Sequence, residues 1–66
     1  MIKINGVTEE LAVATVAALL EARGIATGAR GVAVALNGAV VPRATWAETR
    51  LSAGDVVEII KAMSGG

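Results

Sequence analysis

The sequence predicts an α+β fold in which one helix packs across a mixed sheet of four to five strands. Three observations carry that expectation. Apolar residues recur with a period of two at both ends of the chain, a single amphipathic helical segment lies between them, and Asn-Gly pairs at 5–6 and 37–38 mark two chain reversals.

Ile2 and Ile4 flank Lys3, the alternation of a first strand. Asn5 and Gly6 both tolerate positive φ, so the pair suits a tight hairpin turn. Residues 7–11 read as the returning strand, with an alternation that Glu9 and Glu10 interrupt. Thr15 is placed to cap a helix by accepting a hydrogen bond from a first-turn N–H. Val16, Leu19, Leu20 and Arg23 follow at helical spacing, so the three apolar side chains share one face while Glu21 and the Arg23 head group stay in water. Ala17, Ala18 and Ala22 add helix propensity. Gly24 supplies the left-handed stop, and Ile25 beyond it is placed to pack back on the last turn.

Residues 26–31 read as loop. Val32, Val34 and Leu36 alternate with Ala33 and Ala35, which gives a strand with a bulky face and a small one. The small face either admits a close neighbour or is thinly covered. Asn37 and Gly38 turn the chain, and Val40 and Val41 continue it until Pro42, which lacks the N–H that a ladder needs. Residues 43–51 are expected to hold a short helical turn around Trp46. Residues 52–55 form a turn, and 56–62 the last strand, with Val57 and Ile59 on one face. The first and last strands have no short link, so they are free to pair in parallel at the sheet centre. This order is the β-grasp arrangement. Its core is expected to contain Ile2, Ile4, Val16, Leu19, Leu20, Val34 and Val57 or Ile59. Residues 1–66 read as one domain with a flexible C-terminal tail at 63–66.

A chain of 66 residues has one core to build, and it contains neither Cys nor His with which to staple it. Packing alone must hold the fold, and a hydrophobic content of 55% makes that feasible. The lack of Cys fits a reducing compartment. The longest uncharged run near the N-terminus, 11–20, is well short of the roughly 20 apolar residues of a membrane span. Glu9 and Glu10 precede it, where a signal peptide carries basic residues. The expectation is a soluble, cytoplasmic protein with no membrane partner. Six Lys and Arg balance six Asp and Glu, and Trp46 is the sole aromatic residue. The basic stripe and stacking platforms of a nucleic-acid binder are therefore lacking.

Reactive side chains are scarce. Without His or Cys there is no ordinary nucleophile–base pair, and Ser64 has no activator. Glu9 and Glu10 are neighbours on a strand and point to opposite faces, so they do not share an acid–base site. No phosphate loop of the GxxxxGK[ST] kind is present. The reading is a protein that is not an enzyme, with no catalytic residue, no metal set and no cofactor of its own. What remains is the terminus. Gly65 and Gly66 lack Cβ atoms and so suit a slot too narrow for other residues. Residues 62–66, extended, reach about 17 Å, enough to bring a terminal carboxylate into another protein's active site. The plainer alternative is a frayed end with glycine as filler.

The segment N-G-x-x-V-P-R-x-x-W, formed by Asn37, Gly38, Val41, Pro42, Arg43 and Trp46, joins a terminal Ser64, Gly65 and Gly66. With the initial I-K-I-N-G, Thr15 and Val16, Leu19 and Leu20, and the Gly54–Asp55 turn, it resembles the ThiS family, ubiquitin-like sulfur carriers of thiamine biosynthesis. The resemblance implies that a ubiquitin-activating-like adenylyltransferase of the ThiF type adenylates the Gly66 carboxylate with ATP. A persulfide from a cysteine desulfurase, or another persulfide donor, then displaces AMP and leaves a thiocarboxylate. Thiazole synthase, of the ThiG type, takes the sulfur. The chemistry is coherent. A carboxylate becomes electrophilic only with a good leaving group, and a thiocarboxylate is an anion at neutral pH, already nucleophilic like a low-pKa thiolate. Gly66 would bear the sulfur, with Gly65 and Ser64 recognised in the tail. Val40, Val41 and Met63 are either an exposed docking patch or buried. Arg43 either meets an acidic partner surface or solvates the turn after Pro42. Sister readings are the small subunit of molybdopterin synthase, another ubiquitin-like sulfur carrier, or a protein modifier. The V-P-R-x-x-W segment and the short length favour thiamine.

Overall fold

In the computed structural model, which describes residues 1–61, β1 (Ile2–Ile4) and β2 (Val7–Glu9) form an antiparallel hairpin. Asn5 and Gly6 join them with φ of +50° and +84°, the double left-handed turn that their sequence predicts. β2 ends at Glu9 rather than at residue 11. Glu9 sits opposite Ile2 and forms an exposed ion pair with Arg23, after which the chain leaves the sheet. Leu11 and Val13 then pack against the core from outside the sheet.

Helix α1 (Val16–Ala22) begins as expected. Thr15 is extended, and its hydroxyl accepts from the Ala18 N–H at 3.1 Å. The N–H groups of Val16 and Ala17 donate to the carbonyls of Thr49 and Trp46, so the helix start is satisfied by the segment facing it. At the other end Gly24, with φ of +74°, donates to Glu21 O, and Ile25 N–H donates to Leu20 O. That pair of bonds is a Schellman stop, and Ile25 is buried beyond it.

β3 (Val32–Leu36), β4 (Ala39–Val40) and β5 (Val56–Lys61) complete a five-stranded sheet of order β2-β1-β5-β3-β4. The first and last strands pair in parallel, with Lys3 opposite Val56 and Ile4 opposite Val57, and β5 pairs antiparallel with β3 on its other edge. This is the β-grasp arrangement with β5 at the centre. The predicted last strand extends to residue 62, which lies outside the described residues.

All seven core positions expected on the helix-facing side are filled, with Val57 fully buried and Ile59 partly buried against the cluster. Ile25, Val41, Trp46 and Leu51 join them. Burial of each such large apolar side chain contributes about 1.5–3 kcal/mol, and no buried polar side chain offsets it among the described residues. The short helical turn is a 3-10 turn at Arg43–Thr45, closed by Trp46.

Candidate functional site

The strand that leads to the C-terminus decides where a working end can sit. β5 is central: β1 pairs with its start at Val56 and Val57, and β3 pairs with it from Val57 to Lys61. Its side chains alternate. Val57 and Ile59 turn toward the helix, so Val56, Glu58 and Ile60 stand on the opposite face. Register places Ala33 beside Ile60, Ala35 beside Glu58, and Val40 beside Ala35. The result is a surface on the open side of the sheet in which Val40, Val56 and Ile60, with Ala33 and Ala35, surround the charged Glu58. Val40 is 76% exposed and Ile60 61%, values too high for two β-branched residues with any cover in this chain. Ala33 and Ala35 make the surface between them flat. The small face of β3 is thus the thinly covered one.

The sequence-predicted docking residues separate. Val40 lies on the open face, whereas Val41 belongs to the core. Alternation sends neighbouring side chains to opposite faces, and the Val41 N–H still donates to Val34 O at 2.8 Å, which draws its side chain inward. Arg43 turns to its own chain. Its guanidinium donates to the carbonyls of Thr27 at 2.6 Å and Ala29 at 2.5 Å, holding loop 26–31 against the turn. Trp46 is buried, with its indole N–H on Val41 O at 2.9 Å. Met63, Ser64, Gly65 and Gly66 lie outside the described residues. Val56 and Ile60 were not singled out from sequence. The available signal was that β5 is apolar on both faces, which a strand with one solvated side does not need.

Little else invites chemistry. A cleft on the helix side is lined by Ile2, Ile4, Leu11, Leu19, Glu9 and Arg23, but its two charges pair with each other. Among the described residues there is no cluster of three potential metal ligands, and no helix is long and apolar enough to cross a membrane.

Known proteins share this architecture. The family model described as the ThiS family matches residues 2–66. Two solved structures from Geobacter metallireducens are similar. One is the crystal structure of a thiamine biosynthesis protein (ThiS), 34% identical over 98% of this chain and 97% of that one, with a TM-score of 0.77. The other is the solution structure of a thiamine biosynthesis protein, 35% identical over 98% of this chain and 86% of that one, also at 0.77. No curated protein matches the chain.

Proposed function

This chain belongs to the ThiS family, and from that premise we propose that it is a sulfur carrier of thiamine biosynthesis whose working group is the Gly66 carboxylate. The observation that carries the reading is the match along residues 2–66, which extends through the Gly-Gly end. Both solved relatives are described as thiamine biosynthesis proteins, which favours this pathway over a sister carrier or a protein modifier.

In this reading the protein is a substrate rather than a catalyst and acts in the cytoplasm. A ThiF-type adenylyltransferase binds the open sheet face at Val40, Ile60 and Val56 and draws Gly66 into its active site. The carboxylate oxygen attacks the α-phosphorus of ATP and expels pyrophosphate. A persulfide sulfur, supplied by a cysteine desulfurase or another donor, displaces AMP from the acyl-adenylate. Reductive cleavage of the resulting acyl disulfide by a thiol leaves the thiocarboxylate, which ThiG-type thiazole synthase consumes. Gly65 and Ser64 pass through the narrow approach because glycine has no Cβ and serine a small side chain. The body stays outside, docked by apolar contact, so the chain needs no reactive side chain of its own.

Incubation with ATP, the adenylyltransferase and a persulfide donor tests the reading. The intact mass should rise by the difference between sulfur and oxygen, and fragmentation should place the change on Gly66. An unchanged mass with an adenylyltransferase that activates another ThiS-family carrier would refute it.

A further inference from the structure

Of the three β5 residues that face away from the helix, Glu58 alone carries a charge. Along its own strand Val56 precedes it and Ile60 follows it on the same face. Across the sheet Ala35 lies beside it, and Val40 lies beyond Ala35. On the β1 side no strand residue stands opposite it, because β1 ends at Ile4, which is beside Val57. A carboxylate thus sits among side chains that have no polar group to offer it.

The rest of the chain does not neutralise it. Among the described residues Glu58 makes no ion pair. Lys61, opposite Val32, belongs to the helix-facing set of β5. Lys3 shares the open face but stands beside Val56, on the neighbouring strand, and it too makes no ion pair among the described residues. In water this arrangement is harmless, since the exposed carboxylate keeps its hydration. A partner that covers the apolar ring takes that water away. A carboxylate covered without a counter-charge is strongly unfavourable, whereas one that meets a hydrogen-bonded cation is not. The same residue therefore rejects a purely apolar surface and accepts one that brings a positive charge to the middle of the contact. Ala33 and Ala35 keep the ground beside Glu58 low, so a flat group can lie against the sheet. A guanidinium is planar, weakly hydrated and able to grip both carboxylate oxygens, which suits it to this place better than an ammonium.

We propose that Glu58 is the specificity-determining residue of the open sheet face, selecting a partner that presents an arginine side chain within an apolar surround. The inference deepens the docking reading given above and rests on it. The apolar ring supplies the contact, and Glu58 decides which surface can make it.

The test measures association and dissociation rates of each chain with the ThiF-type adenylyltransferase, without ATP. Glu58→Gln keeps the shape and removes the charge; Glu58→Lys reverses it. Glu58 is exposed, so both should melt near the wild-type temperature. Glu21→Gln makes the same change of net charge on the exposed side of α1, across the molecule from the open face. Glu58→Gln should weaken binding by about tenfold or more, chiefly through faster dissociation, as expected for a covered charge pair rather than for distant steering. Glu58→Lys should weaken it by about a hundredfold or more, because two cations then meet. Glu21→Gln should stay within about twofold of wild type. A Glu58→Gln chain that binds as tightly as wild type would overturn the inference. So would a loss confined to the association rate, or an equal loss in Glu21→Gln. Val40→Thr with Ile60→Thr checks the face separately. Wild-type affinity in that double variant would overturn the docking reading and this inference with it. Weakened binding there beside an unaffected Glu58→Gln would leave an apolar docking face and remove only the charge selection.

Discussion

The guanidinium carbon of Arg43 lies 4.8 Å from the centre of the Trp46 ring. The contact gives the V-P-R-x-x-W segment a physical meaning. Val41 offers the carbonyl that the buried indole N–H needs, Pro42 ends the strand, and Arg43 covers the ring while reaching two loop carbonyls. Val41, Pro42, Arg43 and Trp46 thus close the fold around a turn.

Arg43→Ala should destabilise the domain by about 1–2 kcal/mol, since two charge-assisted bonds and a cation–π contact go together. Arg43→Lys should recover less than half of that, because an ammonium does not present the planar fork that spans two carbonyls. Urea denaturation of the three proteins reads the difference, and faster amide exchange in 26–31 would locate it. Equal midpoints for Arg43 and Ala would remove the clamp.

Trp46→Phe keeps most of the apolar bulk and deletes one donor. The Val41 carbonyl is then left in a buried setting without its partner, at a cost of about 1–3 kcal/mol. The same denaturation midpoint serves as the check, and a wild-type value would mean that water reaches Val41 O.

Most of the fold was legible because its turning points use residues with few alternatives. Asn-Gly pairs require positive φ, Thr15 and Gly24 mark the two ends of the helix, and a strand pair without a short link is free to be parallel. What sequence left open was the far side of the sheet: whether the small face of β3 has a neighbour, and whether Val40 and Val41 are exposed or buried, depend on the register that sets Val40 beside Ala35 and leaves Val41 in the core. The fate of Arg43 was open for a similar reason, since its hydrogen-bond partners are 14 and 16 residues away in the chain. The expectation that Gly66 bears the reacting carboxylate rests on the terminal glycines together with the family resemblance, and Gly66 falls outside the described residues.

Leu20 is fully buried on the core-facing side of helix α1. Leu20→Ala should cost about 2–5 kcal/mol, a large share of the stability of so small a domain. An unchanged melting temperature would place Leu20 outside the core and undermine the packing of helix on sheet.

The open sheet face makes a different prediction. Val40→Thr combined with Ile60→Thr keeps β-branching at both positions and removes exposed apolar surface, so stability should stay within about 0.5 kcal/mol. Docking of the body should weaken, raising KM for adenylation by about tenfold while kcat holds. A KM equal to wild type would move the docking surface elsewhere on the molecule.

The last prediction concerns the terminus itself. If Gly66 reacts through its own carboxylate, residues appended after it convert that carboxylate into a peptide bond, and no acyl-adenylate can form there. The extended chain should gain no sulfur, and its stability should match wild type within about 0.5 kcal/mol, because the last described residue packed on the core is Ile59. Gly65→Val should likewise leave stability unchanged, since it too follows the core. It should slow activation, because a β-branched side chain widens the segment that must pass a channel shaped for glycine. Intact mass at successive times gives the sulfur transfer rate for each chain. An extended chain that gained sulfur as fast as wild type, with mass spectrometry showing the extension still attached, would place the reactive group somewhere other than Gly66.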